Sequence, residues 1–432
     1  MTVYRDCNRK DVLIMEYTCR TGLSDDSIRY LLRQAVTGKK LSKILLLPPD
    51  FTRMYSGAGK IVAMLWDMLA DHCQIDVMPA LGTHVPMTRE ECETFFEGRV
   101  PYESLLVHNW RTDVVKIGEV PGSFVEEVSE GLVKTPINVE VNRRLLDKSY
   151  DAIFSIGQVV PHEVVGMANY SKNIFVGCGG SSMINASHML GAFYGLERIM
   201  GKDFSPVRKV FDYAEEHFLA EIPLTYILTC TTNTGDKTNI HGLYIGRERR
   251  EFEKAVAQSQ KLNLIHMDKP FQKVVVYLDP REFKSTWLGN KSIYRTRMAI
   301  ADGGELLILA PGIQSFGENE EVDACIRKYG YRGTKKIQDA YENGEFNGIE
   351  MAAAHLIHGS SNGRFKITYA TDPELMPEET MRSVGYEWTD IGPMMEKYQP
   401  RGKERGWYED QGEEYYFIKA PAVGLWRVLG EE

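Results

Sequence analysis

Four strand-like runs, of which the first is continuously apolar, lie within residues 43–160 of this 432-residue sequence. They are KILLLPP (43–49), QIDVMPAL (74–81), LLVHN (105–109) and DAIFSIGQVV (151–160). A run without polar alternation is typical of a strand that is buried on both faces. Because helix-like segments separate the runs, the pattern predicts parallel strands with crossover helices, and therefore an α/β fold.

Helix signals occur between these runs. Ser24 can cap a helix that reaches about Val36, and residues 59–72 are helix-like. Thr88 and Glu91 have the spacing of a capping box, in which each side chain accepts a hydrogen bond from the other residue's backbone.

A second α/β pattern begins at KVVVYLDP (273–280), after the long charged segment 247–263. We interpret that segment as a solvated helix between two bodies. The chain then divides into an N-terminal cofactor-binding domain, residues 1–267, and a C-terminal domain, residues 268–395. The tail, residues 396–432, is too apolar to be disordered and is expected to pack back on the first domain. Both domains should have mostly parallel sheets, with the active site in the cleft between them.

Charge and cysteine usage exclude several classes of protein. The formal net charge of −9 argues against binding to nucleic acid or to an anionic membrane. The seven cysteines form no CxxC pair, which fits a reducing compartment better than a disulfide framework. The N-terminal residues carry charges where a signal peptide needs an apolar core, and no run approaches a membrane span. We therefore expect a soluble cytoplasmic protein with no nucleic-acid or membrane partner.

Polar or ionisable residues lie at the carboxyl ends of all four runs, namely Asp50, Thr52, Arg53, His84, His108 and His162. In open α/β sheets, ligands bind beyond the carboxyl ends of the strands. Arg53 has a planar fork of donors suited to phosphate or carboxylate, although a surface arginine on a capped turn is an equal alternative. His84 and His162 could be two proton shuttles at one reaction centre, or satisfied loop histidines. For His108 we favour a structural role.

The segment 161–191 concentrates further reactive groups. Lys172 could contact a phosphate, form a Schiff base or tether a cofactor, whereas most lysines are surface residues. His188 lies in a helix-like stretch and is either a core histidine or a metal ligand. Neither HExxH nor a Cys/His zinc spacing accompanies it.

The Gly-Cys-Gly-Gly turn around Cys178 has two interpretations. Cys178 could be a nucleophile, but Gly177 and Gly179 are better explained as a backbone that approaches a phosphate or cofactor closely. A second histidine pair, His355 and His358, has the spacing of a helical metal site. Because no carboxylate or cysteine lies beside this pair, we interpret it as a helix face.

The ordered motifs together resemble the nickel-pincer-nucleotide-dependent lactate racemase family over nearly the whole chain. Each motif alone is weak, whereas the ordered set with its spacing is strong. The matching positions are Asp50-Phe-Thr52-Arg53, Gly82-Thr83-His84, Pro86-Met-Thr88, His108-Asn109-Trp110, Asn142-Arg143-Arg144, His162, Lys172 and His188.

The resemblance implies a racemase or epimerase that inverts C2 of a 2-hydroxy acid by hydride abstraction and return through a 2-oxo acid. The implied cofactor is a nickel-pincer nucleotide, pyridinium-3,5-bisthiocarboxylic acid mononucleotide, and the enzymes that make it are implied partners. Lys172 would carry it covalently, His188 would be the remaining nickel ligand, and His84 and His162 would move protons. The other implied cofactor contacts are Asp50, Thr52, Arg53, Gly177 and Gly179.

The second domain departs from the family's lactate enzyme, which has a Tyr-Gln-x-x-Lys helix start. Here Tyr294 is kept, Arg295 replaces the glutamine and Met298 replaces the lysine. We predict that Tyr294 and Arg295 contact the cofactor, and that the substrate is larger or more polar than lactate, such as an aldonate or a dicarboxylate. The missing positive charge could come from one of three residues, Arg297, Lys291 or Lys284.

Two other functions are left open by the residues. Lys172 could be the amine of a Schiff-base enzyme that acts on a carbonyl substrate, although no pyridoxal-phosphate framework is recognisable. The chain could also be a non-catalytic homologue that binds a small molecule. The presence of His84, His162, Lys172 and His188 together argues against that second alternative.

Overall fold

The chain forms two compact units in a computed structural model that describes residues 2–5, 13–234, 237–410 and 412–430, without the side chains of 2–5, 13–17 and 234. One unit comprises residues 1–190 and 199–263, and the other comprises residues 191–198 and 264–432. The division therefore falls at Asn263/Leu264, and it assigns a short internal segment to the second unit. The described cysteines are free thiols, and Cys7 lies outside the described residues.

The strands of the first unit form one mixed sheet and two small antiparallel pairs. The bounds are β1 (Thr2–Arg5), β2 (Leu13–Thr18), β3 (Lys43–Leu47), β4 (Gln74–Val77), β5 (Val114–Val120), β6 (Ile137–Asn142), β7 (Ala152–Gln158), β8 (Pro161–His162), β9 (Gly166–Met167), β10 (Leu224–Thr234) and β11 (Lys237–Gly246). The main sheet has the order β1-β2-β11-β10-β7-β3-β4, and its β10, β7, β3 and β4 are parallel. Antiparallel pairs join β5 to β6 and β8 to β9.

Helices connect and cover these strands. They are α1 (Asp25–Val36), α2 (Ala58–Leu69), α3 (Arg89–Phe95), α4 (Gly122–Val128), α5 (Ser181–Tyr194), α6 (Leu196–Ile199), α7 (Pro206–Phe218) and α8 (Arg249–Asn263). Ser24 caps α1, and the capping box of Thr88 and Glu91 opens α3, which confirms both predictions. None of the helices in the described ranges is long and apolar enough to cross a membrane.

The apolar runs become the buried parallel strands. Ile44, Leu45, Leu46 and Leu47 of β3 are fully buried, and every residue of β7 is buried. Both strands lie inside the sheet, and helix α2 packs on β7. The strand predicted at 105–109 is wrong, since only Leu105 makes an isolated bridge, to Val77.

Segment 247–263 is a helix as predicted, but the prediction that it is a solvated linker is wrong. Helix α8 packs on β10 and β11. It buries Phe252, Ala255 and Val256 because its apolar positions recur at helical spacing within the charged sequence. This helix therefore covers the sheet of the first unit.

The second unit contains a six-stranded sheet and a separate two-stranded sheet, β12-β19, with helices around them. The strands of this unit are β12 (Leu264–Met267), β13 (Phe271–Tyr277), β14 (Ile300–Leu309), β15 (Lys366–Thr371), β16 (Glu387–Asp390), β17 (Gly406–Asp410), β18 (Glu413–Ile418) and β19 (Leu425–Val428). Its helices are α9 (Thr286–Gly289), α10 (Lys291–Thr296), α11 (Glu320–Tyr329), α12 (Thr334–Glu342), α13 (Glu350–Gly359), α14 (Glu378–Ser383) and α15 (Ile391–Tyr398). The order of the six-stranded sheet is β16-β15-β14-β13-β18-β17, and its neighbouring strands are parallel except for the β17–β18 pair.

The C-terminal tail belongs to this second sheet, which corrects its predicted packing on the first domain. Strand β18 pairs in parallel with β13, and it buries Tyr415 and Phe417 beside Val275 and Leu307. The tail strand satisfies the backbone groups along one edge of β13, and its aromatic residues complete the core beneath. The tail is therefore part of the fold of the second unit.

Replacing Phe417 with Ala should lower the free energy of unfolding of the second unit by about 3–5 kcal/mol, because the ring is fully buried in that core. Glu409→Ala, at an exposed position of the neighbouring β17, is the control and should change stability little. Denaturant unfolding followed by tryptophan fluorescence measures both. Equal effects of the two substitutions would contradict this placement of the tail.

Candidate active site

Asp50 connects two of the sequence-predicted residues directly. It follows β3 and caps the short 3-10 helix Phe51–Ser56. One carboxylate oxygen, Oδ1, accepts hydrogen bonds from the backbone N–H (2.9 Å) and the hydroxyl (2.6 Å) of Thr52. The other, Oδ2, lies 2.6 Å from Nδ1 of His84, which follows β4. A carboxylate accepts only, so the Nδ1 of His84 is the donor, and its Nε2 can accept a proton.

The carboxyl of Asp50 stays ionised despite its burial. Burial alone would raise its pKa, but the charge and hydrogen bond of His84, the Thr52 hydrogen bond and the charge of Arg53 together lower the pKa to about 2. A buried carboxylate with three donors is typical of a group that orients a catalytic histidine.

Strand β10 holds the loop that carries Asp50 and Arg53. The hydroxyl of Thr229 donates to the carbonyl of Ser56 at 2.7 Å, and that of Thr231 donates to the carbonyl of Tyr55 at 2.9 Å. Both threonines are fully buried. Side-chain bonds to loop carbonyls replace solvent there, and they fix the position of the loop relative to the sheet.

Lys172 follows a backbone turn of unusual conformation. Asn169 (φ 66°) and Tyr170 (φ 57°) are consecutive non-glycine residues in the left-handed region. Each such residue costs about 1–2 kcal/mol, so the surrounding structure must hold the turn. Non-glycine residues with this conformation cluster at functional sites.

The π-helical turn Asn173–Gly177 begins immediately after Lys172. The side-chain amide of Asn173 donates to the carbonyl of Leu47 at 3.1 Å and to the hydroxyl of Ser155 at 2.9 Å. These bonds tie the turn to β3 and β7, and therefore place Lys172 beside the carboxyl ends of the parallel strands.

The amine of Lys172 lies among charged groups. Burial, followed by the positive charge of Arg53, lowers its pKa to about 8, while Glu163 and Asp50 act in the opposite direction. A lysine with a lowered pKa is partly neutral near physiological pH, and the neutral amine is the nucleophilic form.

His188 lies on α5, and its ring orientation is set by its own helix. Nδ1 lies 2.6 Å from the carbonyl of Ile184 and donates to it, which leaves the lone pair of Nε2 for a metal. Burial is the main reason that its pKa is lowered to about 4, and Lys172 adds to the effect. The imidazole is therefore neutral, as a metal ligand must be.

His162 is buried in the β8–β9 hairpin with 4% of its surface exposed. Its Nδ1 accepts the backbone N–H of Val164 at 3.1 Å, so the neutral ring carries its proton on Nε2. A carboxylate oxygen of Glu163 lies 3.9 Å from the same Nδ1, which is beyond hydrogen-bond distance.

These contacts and charge interactions define the candidate active site, which comprises Asp50, Arg53, His84, His162, Glu163, Lys172 and His188. Glu163 is the member that sequence reasoning missed. It acts electrostatically on Lys172 and on His188. A carboxylate directly after a candidate catalytic histidine was the available signal.

His108 has the structural role that the sequence favoured. Its Nε2 donates to the carbonyl of Gly179 at 3.1 Å, and its Nδ1 accepts from the amide of Asn142 at 2.9 Å. Burial lowers its pKa, so the ring stays neutral. Both ring nitrogens are therefore used in holding the glycine turn.

Close packing explains the glycines of that turn. A Cβ on Gly177 would lie 2.7 Å from the Cβ of Ala80, and one on Gly179 would lie 1.8 Å from the carbonyl oxygen of Phe175. The predicted contact of Gly177 and Gly179 with a cofactor stays a prediction. Cys178 is fully buried, and burial raises its pKa to about 12, which argues against a nucleophilic role.

The second-unit residues Tyr294 and Arg295 are buried within that unit. The hydroxyl of Tyr294 lies 2.8 Å from Nδ1 of His355, and the guanidinium of Arg295 donates to the carbonyl of Gly424 at 3.3 Å. Their predicted role at the cofactor stays a prediction. His355 also bonds Tyr331 through Nε2 at 2.7 Å, so it belongs to a buried polar network.

Arg297 already has other partners. It forms an ion pair with Glu197 at 2.7 Å and donates to the carbonyls of His358 and Ser360 at 2.9 and 3.2 Å. Its guanidinium therefore stabilises the second unit, which leaves Lys284 and Lys291 as the candidates for the missing charge.

The stabilisation that the ionised carboxylate of Asp50 gives to the folded protein should be lost in acid. Its folded pKa of about 2 lies below the ordinary value, so its contribution is present above pH 4 and is lost as the pH falls through 2. The stability difference between wild type and Asp50→Asn should shrink by about 2 kcal/mol between pH 5 and pH 2. Urea unfolding at both pH values measures it, with the exposed Asp71→Asn as control. A difference that does not change with pH would contradict the assignment.

Comparison with known proteins finds a family match for one segment of the chain. Residues 31–198, which contain every residue of the candidate active site, match the family model of the lactate racemase N-terminal domain. No curated protein matches the sequence. A crystal structure of a Thermotoga maritima protein aligns with a TM-score of 0.82 at 24% identity, over 95% of this chain and 100% of that one.

The apoprotein of lactate racemase from Thermoanaerobacterium thermosaccharolyticum aligns with a TM-score of 0.66 at 16% identity, over 94% of each chain. At such identities the two structures establish a shared fold. The family match is confined to residues 31–198. This segment of the chain is similar to the N-terminal domain of lactate racemase.

Proposed function

We propose that this protein is a racemase or epimerase that inverts C2 of a 2-hydroxy acid with a nickel-pincer nucleotide held by Lys172 and His188. The observation that carries the proposal is the pairing of a nucleophilic amine with a neutral imidazole. The amine of Lys172 has a lowered pKa, and His188 keeps its Nε2 lone pair. The charge of Lys172 also helps to lower the pKa of His188.

The described side chains fit a metal ion whose other ligands belong to a cofactor. Within the described residues there is no group of three His, Cys, Asp or Glu side chains that could hold a metal ion. His188 alone would leave nickel under-coordinated, so the remaining donors must come from a cofactor. Lys172 would hold that cofactor covalently. When bound, the nickel-pincer nucleotide supplies reversible acceptance of the C2 hydride.

His84 is suited to take the hydroxyl proton of the substrate. Because Asp50 fixes the proton of the neutral ring on Nδ1, the lone pair is on Nε2. The same carboxylate stabilises the imidazolium that forms when Nε2 accepts the proton. His84 therefore acts as the base of the resting site, and Asp50 orients it.

His162 presents the complementary tautomer. Its Nε2–H can donate to a substrate oxygen, because the N–H of Val164 occupies Nδ1. To return a proton to the substrate, His162 must be an imidazolium with protons on both ring nitrogens, because a neutral imidazole does not release its only proton. The negative charge of Glu163, whose carboxylate lies 3.9 Å from Nδ1, would stabilise that imidazolium. His84 in its neutral form therefore accepts the hydroxyl proton, and His162 in its protonated form returns one.

The proposed substrate is a larger or more polar acid than lactate, such as an aldonate or a dicarboxylate. This part of the proposal is supported by the absence of the family lysine at Met298 and by the engagement of Arg297 in other contacts. A different arrangement of positive charge is expected to select a different acid.

A Schiff-base enzyme is the second candidate, and the lowered pKa of Lys172 favours it too. Such an enzyme would form an imine between this amine and a carbonyl substrate. His188, with Nε2 available to a metal, has no role in that chemistry. Borohydride reduction in the presence of a carbonyl substrate would trap the imine.

Wild-type protein co-expressed with the cofactor-making enzymes should carry a covalent adduct and about one nickel per chain. Lys172→Ala should lose the adduct because it removes the amine, and His188→Ala should keep the adduct but lose most of the nickel. Intact-mass spectrometry and metal analysis measure the two properties. Lys209→Ala, at an exposed position on α7, is the control.

The absence of both adduct and nickel from the wild-type protein would contradict the proposed function. Trapping of an imine at Lys172 without nickel would favour the Schiff-base alternative.

His84→Asn should slow inversion of the preferred 2-hydroxy acid by about 10²–10⁴-fold, because general-base catalysis at Nε2 is lost. The rate is measured by polarimetry with loaded protein, on a panel of an aldonate, a 2-hydroxy dicarboxylate and lactate. His72→Asn replaces an exposed histidine and should leave the rate unchanged. Inversion at the wild-type rate by His84→Asn would show that another group takes the proton.

A further inference from the structure

The left-handed turn before Lys172 is held from one side by a buried arginine. Arg208 lies on α7 and has no exposed surface. One of its guanidinium nitrogens, Nη2, donates to the carbonyls of Met167 at 2.7 Å and Asn169 at 3.2 Å. These carbonyls flank the start of the turn, so a single planar group fixes the path of the backbone there.

The other terminal nitrogen of Arg208 reaches the residue next to Lys172. Nη1 donates to the hydroxyl of Ser171 at 2.7 Å, and that hydroxyl donates to a carboxylate oxygen of Asp212 at 3.3 Å. Arg249 forms an ion pair with the same Asp212 at 3.4 Å. The hydrogen-bonded chain Arg208–Ser171–Asp212 therefore ends on a carboxylate that is itself held in place.

Aromatic packing completes the enclosure of the turn. The guanidinium of Arg208 lies 4.5 Å from the ring centroid of Phe252, and the ring of Tyr170 stacks on the same phenylalanine at 4.9 Å. The hydroxyl of Tyr170 donates to the carbonyl of Arg247 at 3.2 Å. Both left-handed residues are thus held by side-chain contacts, as an otherwise unfavourable turn requires.

We propose that Arg208 is a positioning residue for Lys172, because its guanidinium holds the Asn169–Tyr170 turn in the conformation that directs the lysine amine into the candidate active site. The role of Lys172 as the attachment point rests on the proposed function. The contacts of Arg208 with the turn do not depend on it.

Arg208 also contributes a positive charge near the amine. The charged groups that act on Lys172 are Arg53, Glu163, Asp50 and Arg208, and Lys172 in turn acts on His188. Arg208 opposes protonation of the amine, as Arg53 does, so its charge assists the nucleophilic form.

The first test compares Arg208→Lys with Arg247→Lys. Lysine keeps the charge but cannot bond two carbonyls and a hydroxyl with a planar fork. Arg247 is a matched control, because its guanidinium also donates to backbone carbonyls, those of Leu219, Ala220 and Ile222. Hydrogen exchange in the full-length protein without cofactor should be about tenfold faster at residues 168–173 in Arg208→Lys only. Unchanged exchange there would overturn the proposal.

The second test measures adduct formation after co-expression with the cofactor-making enzymes. Arg208→Lys should load less than a fifth of the adduct of wild type, while Arg247→Lys loads fully. Full loading of Arg208→Lys would overturn the positioning role. If the wild type itself carries no adduct, the proposed function fails, and the hydrogen-exchange result still decides the role of Arg208.

The third readout separates charge from packing. Acylation of Lys172 by acetic anhydride in the protein without cofactor, followed by peptide mass spectrometry from pH 6 to 11, gives a midpoint for the amine. Both substitutions loosen the turn, but only Arg208→Gln also removes the positive charge, so its midpoint should be higher than that of Arg208→Lys. Equal midpoints in Arg208→Gln and Arg208→Lys would overturn the electrostatic part of the proposal.

Discussion

The hydrogen bond between Asp50 and His84 is the interaction on which the candidate active site depends. One carboxylate bonds the loop through Thr52 and the imidazole through Nδ1 at 2.6 Å. It also acts on the charge of Lys172. The loop that carries it is fastened to β10 by buried threonine hydroxyls. The parallel strands thus set the position of the loop, and the loop sets the tautomer of the histidine.

The histidines of the first unit differ in how their ring nitrogens are used. His108 bonds a carbonyl with one nitrogen and an amide with the other, so it stabilises the glycine turn. His84 donates from Nδ1 to a carboxylate, and His188 donates from Nδ1 to a backbone carbonyl. In both rings Nε2 therefore keeps a lone pair. A histidine whose second nitrogen is kept as an acceptor is suited to bind a proton or a metal.

Sequence reasoning succeeded where a pattern has a local physical cause. Continuous apolar runs predicted the buried parallel strands, and the capping box predicted α3. It failed where the cause is distant. The tail was placed on the wrong domain because nothing local to residues 396–432 shows that β13 lacks a partner along one edge. For the same reason, the pairing of Asp50 with His84 was not foreseen, although each residue was selected separately.

Two further residues were not selected from the sequence. Glu163 directly follows a candidate catalytic histidine, but only the fold shows that its charge acts on Lys172 and His188. Arg208 is on a separate helix from Lys172, and only the fold shows that it bonds the turn before the lysine. Motifs therefore identified the reactive groups, whereas the groups that orient them required the structure.

The proposed function requires that the hydride removed from C2 stays within the site and returns to the substrate. The most direct measurement uses a 2-hydroxy acid labelled with deuterium at C2, inverted by cofactor-loaded protein in ordinary water. The inverted product should keep deuterium at C2, because the hydride is returned and only the hydroxyl proton passes through the histidines. Replacement of the label by solvent hydrogen during inversion would rule out the proposed hydride transfer.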